Sequence, residues 1–237
     1  MNLRQPNNFT SHLEHKEMRA VMVYLILHVA VLPWVINLMA ARGMMSATEG
    51  NFLYYAFGAA FMFSMCMGFL RRDFDPLCDR PLFCMLEILA AYFVMMCCNF
   101  CVAYLIVMVL PESSNPNNDA IGQLVLEDYG MMKASLMFFT PIVEEILFRA
   151  GIFGMIRDLA GRKWAYIVSA GLFSFYHVWS YAVIEPVFWI YLLQYIPVSL
   201  LLARCYERTN SIWCPIFFHM MVNGVAVNAL DMLQGMM

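Results

Sequence analysis

Charged side chains are scarce in this sequence. Asp, Glu, Lys and Arg together make 13% of its 237 residues, about half the share of an ordinary soluble domain. So few polar groups cannot cover two water-facing globules, which excludes the two-domain soluble arrangement that the length would otherwise allow. The 14 basic residues are outnumbered by 17 acidic ones and spread thinly, so there is no basic surface to bind nucleic acid. Internal repeats and finger-like Cys and His spacings are missing as well. The Cys residues lie mostly in apolar runs, at Cys66, Cys84, Cys97, Cys98 and Cys101, and are expected as small buried hydrophobes. What fills the chain is apolar: 62% of it is hydrophobic, with a mean hydropathy of +0.66. That composition implies one domain embedded in a membrane.

Crossing about 30 Å of hydrocarbon takes roughly 20 apolar residues in a helix. Seven stretches qualify: Ala20 to Ala41, Phe52 to Leu70, Phe83 to Leu110, Ala134 to Ile156, Trp164 to Ile184, Pro186 to Ala203 and Ile212 to Leu233. The expected fold is an all-α, polytopic transmembrane helical bundle of about seven spans. The third run is long enough to tilt or break and the sixth is short and carries Pro197, so six and eight are the neighbouring counts. Alternate connections divide the basic residues unevenly. One side receives Arg4, Lys16, Arg19, Arg71, Arg72, Arg80, Arg157, Arg162, Lys163, Arg204 and Arg208, the other only Arg42 and Lys133. An excess of Lys and Arg marks the cytoplasmic side, which places the N-terminus there. Residues 1–19 are then a cytoplasmic segment, 20–110 the N-terminal transmembrane helices, 111–133 an exposed, turn-rich extracytoplasmic loop, and 134–237 a transmembrane core.

An ionisable group inside a spanning helix costs roughly 2.5 to 3.5 kcal/mol on insertion scales, so each needs a partner or a function. The first three runs contribute little beyond His28, Asn37, Glu87 and Asn99. The last four contribute Glu144, Glu145, Arg149, His177, Gln194, His219, Asn223, Asn228 and Asp231. Function is therefore expected in the second half, around a polar intramembrane cavity.

In Thr140-Pro141-Ile142-Val143-Glu144-Glu145-Ile146-Leu147-Phe148-Arg149, the adjacent carboxylates cannot share a helical face, because successive side chains point about 100° apart. Glu145 and Arg149 stand four apart with the acid nearer the N-terminus, the favourable order for a pair. Glu144 is left without a local partner, and a desolvated, unpaired carboxylate is suited to general acid–base work. All three could equally form one buried charge cluster holding helices together, although Glu144 would then need a further cation. Pro141, lacking an amide, is expected to bend this helix at the cavity wall. His177 taken alone reads more readily as an interhelical hydrogen-bonder than as a catalyst. His219 and Asn223, four apart, share a face and can point two donors at one oxyanion, as bridging polar groups also would.

The three segments Glu144-Glu145-Ile146-Leu147-Phe148-Arg149, Phe173 to His177 and His219 to Asn223 follow the pattern Glu-Glu-x-x-x-Arg, Phe-x-x-x-His and His-x-x-x-Asn. In this order and in successive polar helices, the pattern resembles the CPBP family of intramembrane proteases, which includes the Rce1-type CAAX prenyl endopeptidases. The resemblance spans roughly Ala134 to Leu233. It implies peptide-bond hydrolysis in which Glu144, helped by His177, activates water. His219 and Asn223 would stabilise the oxyanion, and Arg149 would hold Glu145. It implies no cofactor. Zinc held by Glu144, His177 and His219 is the alternative, since two His and a carboxylate are a common catalytic set, but Arg149 makes this a poor place for a divalent cation. The implied partner is a membrane-associated peptide or protein, lipidated or not, in a prokaryotic plasma membrane. The rival readings are a non-enzymatic scaffold or immunity protein on the same fold and a proton-coupled transporter. The transporter fits less well, because the polar helices fall in one half rather than in two corresponding halves.

Overall fold

The computed structural model describes residues 9–111 and 114–234. Arg4 and the side chain of Asp231 lie outside the described residues. Within them the chain forms helices and no strand. In chain order these are α1 His15–Ala41, α2 Ala47–Arg72, α3 Asp75–Asp79, α4 Pro81–Val109, α5 Pro116–Glu127, α6 129–160, α7 Arg162–Ala182, α8 Pro186–Thr209 and α9 Trp213–Gln234. Seven of these are long helices and occupy the seven apolar stretches. Four of them, α1, α2, α4 and α8, are long and apolar enough to cross a membrane on that ground alone. The other three, α6, α7 and α9, carry the polar motifs.

The third apolar run is one unbroken helix, α4, and its outward face is apolar: Phe93 and Phe100 are 70% and 76% exposed. Such a face suits hydrocarbon and would be an aggregation hazard in water. Two cysteines expected inside the bundle, Cys97 and Cys101, lie exposed on this helix, whereas Cys66 and Cys84 are buried. The apolar run predicted burial, but in a bilayer an apolar side chain gains as much by facing lipid.

α6 runs through the middle. Every residue from Thr140 to Gly154 is buried, as befits a helix apolar on nearly all sides. The missing amide of Pro141 is absorbed by π-helical geometry: Ser135–Phe139 forms a π turn directly before Thr140, and a second, Ile146–Phe153, follows the glutamate pair. Such widened turns recur at functional sites, since they turn side chains off the regular 100° step. Two glycines let neighbouring helices approach closely. A Cβ on Gly58 of α2 would collide with the Tyr24 hydroxyl and come within 2.9 Å of Val143 Cγ2. One on Gly151 of α6 would lie 2.9 Å from Val21 Cγ1. Small residues at helix crossings are a recurrent means of membrane packing, and here they bring α1 and α2 against α6.

The stretch expected as a turn-rich loop at 111–133 is largely helical. Asn115 caps α5 by accepting from Asn117 N at 3.0 Å, Pro116 occupies the first turn, and α6 begins at 129 under an Asp128 cap. Pro and Asn signal a helix start as well as a turn, and the density of turn formers concealed the start.

At the opposite end, Asp73 ties the N-terminal segment to the foot of the bundle. Its carboxylate accepts from Ser11 Oγ at 2.7 and 2.8 Å and from Ile212 N at 2.6 Å, while Ser211 Oγ donates to its carbonyl. Burial pushes this carboxyl up to about 6, outweighing the opposing pull of the Ser11 and Ile212 donors and of Arg72. The folded chain thus holds the proton more tightly than the unfolded chain, whose Asp titrates near about 4. Stability from this group is complete below about pH 4 and is lost as pH rises through about 6. Detergent-solubilised protein should therefore lose up to roughly 3 kcal/mol over that window relative to Asp73→Asn. Thermal melts of the two proteins at several pH values check this, and parallel curves would refute it.

Candidate functional site

α2, α6, α7 and α9 surround a cavity of about 1050 Å³, with α1, α4, α5 and α8 completing its walls. Glu144, His177, His219 and Asn223 all line it, beside Tyr54, Tyr55, Phe173 and Tyr176. The adjacent glutamates part as helical geometry requires. Glu144 faces the cavity, and Glu145 points into the protein between Arg149 and His219.

Glu145 Oε1 accepts from Arg149 Nη1 at 2.9 Å and from His219 Nδ1 at 2.7 Å. Arg149 also donates through Nη2 to Ser199 Oγ at 3.0 Å, and its guanidinium lies 4.2 Å over the Phe173 ring. Both members of the pair are fully buried. The Glu145–Arg149 spacing is plain in the sequence; the tie from Glu145 to His219 is not, being set by how α9 packs on α6. With Nδ1 committed to Glu145, His219 keeps Nε2 for other partners.

His177 is held from three sides. Its Nδ1 lies 2.8 Å from the Phe173 carbonyl, which can only accept, so Nδ1 carries the hydrogen and the neutral ring bears its lone pair on Nε2. The ring contacts Phe173 at a centroid distance of 4.4 Å and stacks on Tyr195 at 4.6 Å. Nε2 faces Glu144 Oε2 across 3.7 Å, too long for a hydrogen bond. Glu144 Oε2 is buried and has no hydrogen-bond partner among the described residues. A desolvated oxygen in that condition is costly unless chemistry uses it.

Asn223 donates one amide hydrogen to Leu136 O, in the π turn of α6, at 2.9 Å. That bond fixes the carboxamide and leaves its second hydrogen. Gln194 and Asn228 are tied elsewhere, Gln194 to Asn115 at 2.5 Å and Asn228 to Tyr129 at 3.2 Å. Among the described residues no three His, Cys, Asp or Glu side chains are placed to hold a metal ion.

Glu144 is not without a partner. Tyr55 of α2 donates to its Oε1 at 3.0 Å, so the N-terminal half, expected to be bland, reaches the site. Hydropathy gives Tyr55 no signal, because tyrosine counts as apolar in a spanning run. The available signal was a Tyr54-Tyr55 pair at mid-helix, where buried hydroxyls need partners.

Residues 129–225, which contain all three motifs, match the family model described as type II CAAX prenyl endopeptidase Rce1-like. Among curated proteins, "Putative membrane peptidase YdiL" of Bacillus subtilis (strain 168) is 36% identical over 87 residues, 37% of this chain and 32% of that protein. "UPF0177 protein YxdF" of Lactococcus lactis subsp. lactis (strain IL1403) is 32% identical over 117 residues, 48% of this chain and 58% of that protein. The chain thus spans between a third and somewhat more than half of the curated relatives it matches. No solved structure matches it significantly. The match to a membrane-peptidase family and the apolar helices agree on an integral membrane protein.

Proposed function

We propose that the protein is an intramembrane endopeptidase that hydrolyses a peptide bond of a membrane-associated peptide or protein, with Glu144 as the general base. The observation that carries this reading is the unpartnered Glu144 Oε2 facing the lone pair of His177 Nε2 across 3.7 Å. A water between them can donate one hydrogen to each, which turns its own lone pairs to the cavity. Attack on the scissile carbonyl transfers a proton to Glu144, which passes it to the departing amine. The second amide hydrogen of Asn223 and the Nε2 hydrogen of a doubly protonated His219 receive the developing oxyanion. The Glu145 carboxylate, 2.7 Å from His219 Nδ1, compensates the imidazolium charge. This scheme needs no metal. A zinc ion on Glu144, His177 and His219 would have to sit near the Arg149 guanidinium, against Coulomb repulsion.

The bacterial sources of the relatives support a prokaryotic plasma membrane, and the excess of basic residues in alternate connections supports a cytoplasmic N-terminus. The test is cleavage of quenched-fluorescent apolar peptides, with and without an S-farnesyl cysteine, by the purified protein in detergent. Wild type should cleave, and activity should survive a chelator once elemental analysis has shown no retained metal. Asn223→Ala should lower the rate about 100- to 1000-fold, the usual cost of one oxyanion donor, and leave measurable turnover. An unchanged rate for Asn223→Ala would remove that residue from the oxyanion site. Cleavage only of farnesylated peptides would narrow the substrate to prenylated proteins.

A further inference from the structure

From the geometry behind Glu144 we infer a second set of working residues: Tyr55, Tyr176 and His28 form a directed hydrogen-bond chain that holds Glu144 Oε1 and reserves Oε2 as the base. The inference rests on the protease reading and extends it to helices α1 and α2, outside the stretch that matches the family model.

The chain's direction follows from donor counting. Tyr55 donates to Glu144 Oε1 at 3.0 Å, and its hydroxyl lies 3.3 Å from that of Tyr176. Tyr55 has a single hydrogen and has spent it on the carboxylate, so between these hydroxyls Tyr176 is the donor. Tyr176 in turn lies 3.1 Å from His28 Nε2. With the Tyr176 hydrogen given to Tyr55, His28 must donate from Nε2. The order is then His28 Nε2–H to Tyr176, Tyr176 to Tyr55, and Tyr55 to Glu144. Tyr54, whose hydroxyl lies 3.4 Å from that of Tyr176, spends its hydrogen on the His28 carbonyl at 2.7 Å. It gives Tyr176 no donor, is a more distant acceptor than Tyr55, and stacks on the His28 ring at a centroid distance of 4.4 Å. His28 is fully buried in the π turn Leu27–Val31, and its Nδ1 has no hydrogen-bond partner among the described residues. A buried imidazole with one nitrogen unsatisfied needs a reason to be there, and donating into this chain supplies one. Each link polarises the next towards the carboxylate.

Two consequences follow for Glu144. One oxygen is pinned by Tyr55, while the other is left bare towards His177, so the carboxylate keeps one orientation. Tyr55 and Tyr176 are positioning residues; they do not touch the reacting atoms. Among the described residues, the titratable and charged groups that interact with Glu144 are Tyr54 and Tyr55 from α2, Tyr176 and His177 from α7, Tyr195 from α8 and Arg149 on α6 itself. Of these, Tyr55 is the hydrogen-bonded donor to Glu144.

The test is a pH titration of the purified protein in detergent by infrared difference spectroscopy, which needs no substrate. The Glu144 carboxylate band is identified as the one lost in Glu144→Gln. In Tyr55→Phe its midpoint should move up by about one pH unit or more, as loss of a donor to an ionised group implies. Tyr176→Phe should move it less, and His28→Asn least. That graded order is what a merely structural set of tyrosines would not produce, and thermal melts confirm that each variant is folded. Midpoints unchanged in both Tyr→Phe variants, or a larger shift in Tyr176→Phe than in Tyr55→Phe, would overturn the chain. So would the absence of any titrating band assignable to Glu144. The protease reading fails separately, through peptide cleavage that persists in Glu144→Gln.

Discussion

Glu144→Gln should abolish peptide cleavage while leaving the protein folded. Glutamine keeps the shape, and its carbonyl oxygen can still accept from Tyr55, which now donates to Oε1 at 3.0 Å. Its amide nitrogen would take the place of Oε2 and donate to His177 Nε2, closing the gap of 3.7 Å with a hydrogen bond. A carboxylate that lacked a full set of partners is thereby replaced by a satisfied neutral group, so the melting temperature should hold or rise. In the proposed mechanism the water loses the group that takes its proton, and the loss should reach the upper end of the about 100- to 10,000-fold that general base catalysis is worth. His177 alone, bonded to the new amide, cannot replace it. Wild-type turnover by a folded Glu144→Gln protein would sink the glutamate mechanism and shift the weight to a transporter or a scaffold.

The loss should not spread to every cavity residue. In the proposed mechanism Asn223 offers one donor of a shared oxyanion site, while Glu144 is the only carboxylate lining the cavity among the described residues. The two substitutions should thus be separated in rate by an amount that purified protein can resolve. Equal losses would mean that both act through cavity shape.

Local relations were legible in the sequence, whereas those that depend on packing were not. Glu145 and Arg149 obey the four-residue rule of a helix, and His219 with Asn223 does the same. Both of the latter line the cavity. The contact between His219 and Glu145 joins residues 74 apart in sequence, and no spacing rule reaches so far. Tyr55 lies 89 residues from Glu144 in a run that hydropathy scores as apolar, so its hydroxyl was hidden by its ring. The π turns around Pro141 were foreshadowed only as an expected bend. A proline announces that the helix must yield but not whether it kinks or widens, because the neighbours that replace the lost hydrogen bond decide. Asn115-Pro116 is a readable helix start, but the residues before it also favour turns and mask it.

Arg149→Ala should cost stability as well as activity. The guanidinium is fully buried and supports three groups: Glu145 Oε1 at 2.9 Å, Ser199 Oγ at 3.0 Å and the Phe173 ring at 4.2 Å. Alanine would strand the Glu145 charge with His219 as its remaining hydrogen-bond donor among the described residues. Removing one member of a buried pair typically costs about 3 to 5 kcal/mol. For a chain of this length that is a fall in melting temperature on the order of 10 °C. The double variant Glu145→Gln with Arg149→Met removes both charges and keeps the volume, so it should recover most of the lost stability, as buried pairs replaced by neutral groups generally do. Activity should not return with it, since in the proposed mechanism His219 acts as a doubly protonated oxyanion donor that depends on the Glu145 carboxylate. A fully stable Arg149→Ala protein would refute the pairing. If the double variant recovered full turnover, Glu145 and Arg149 would hold the bundle together and contribute nothing to the oxyanion site.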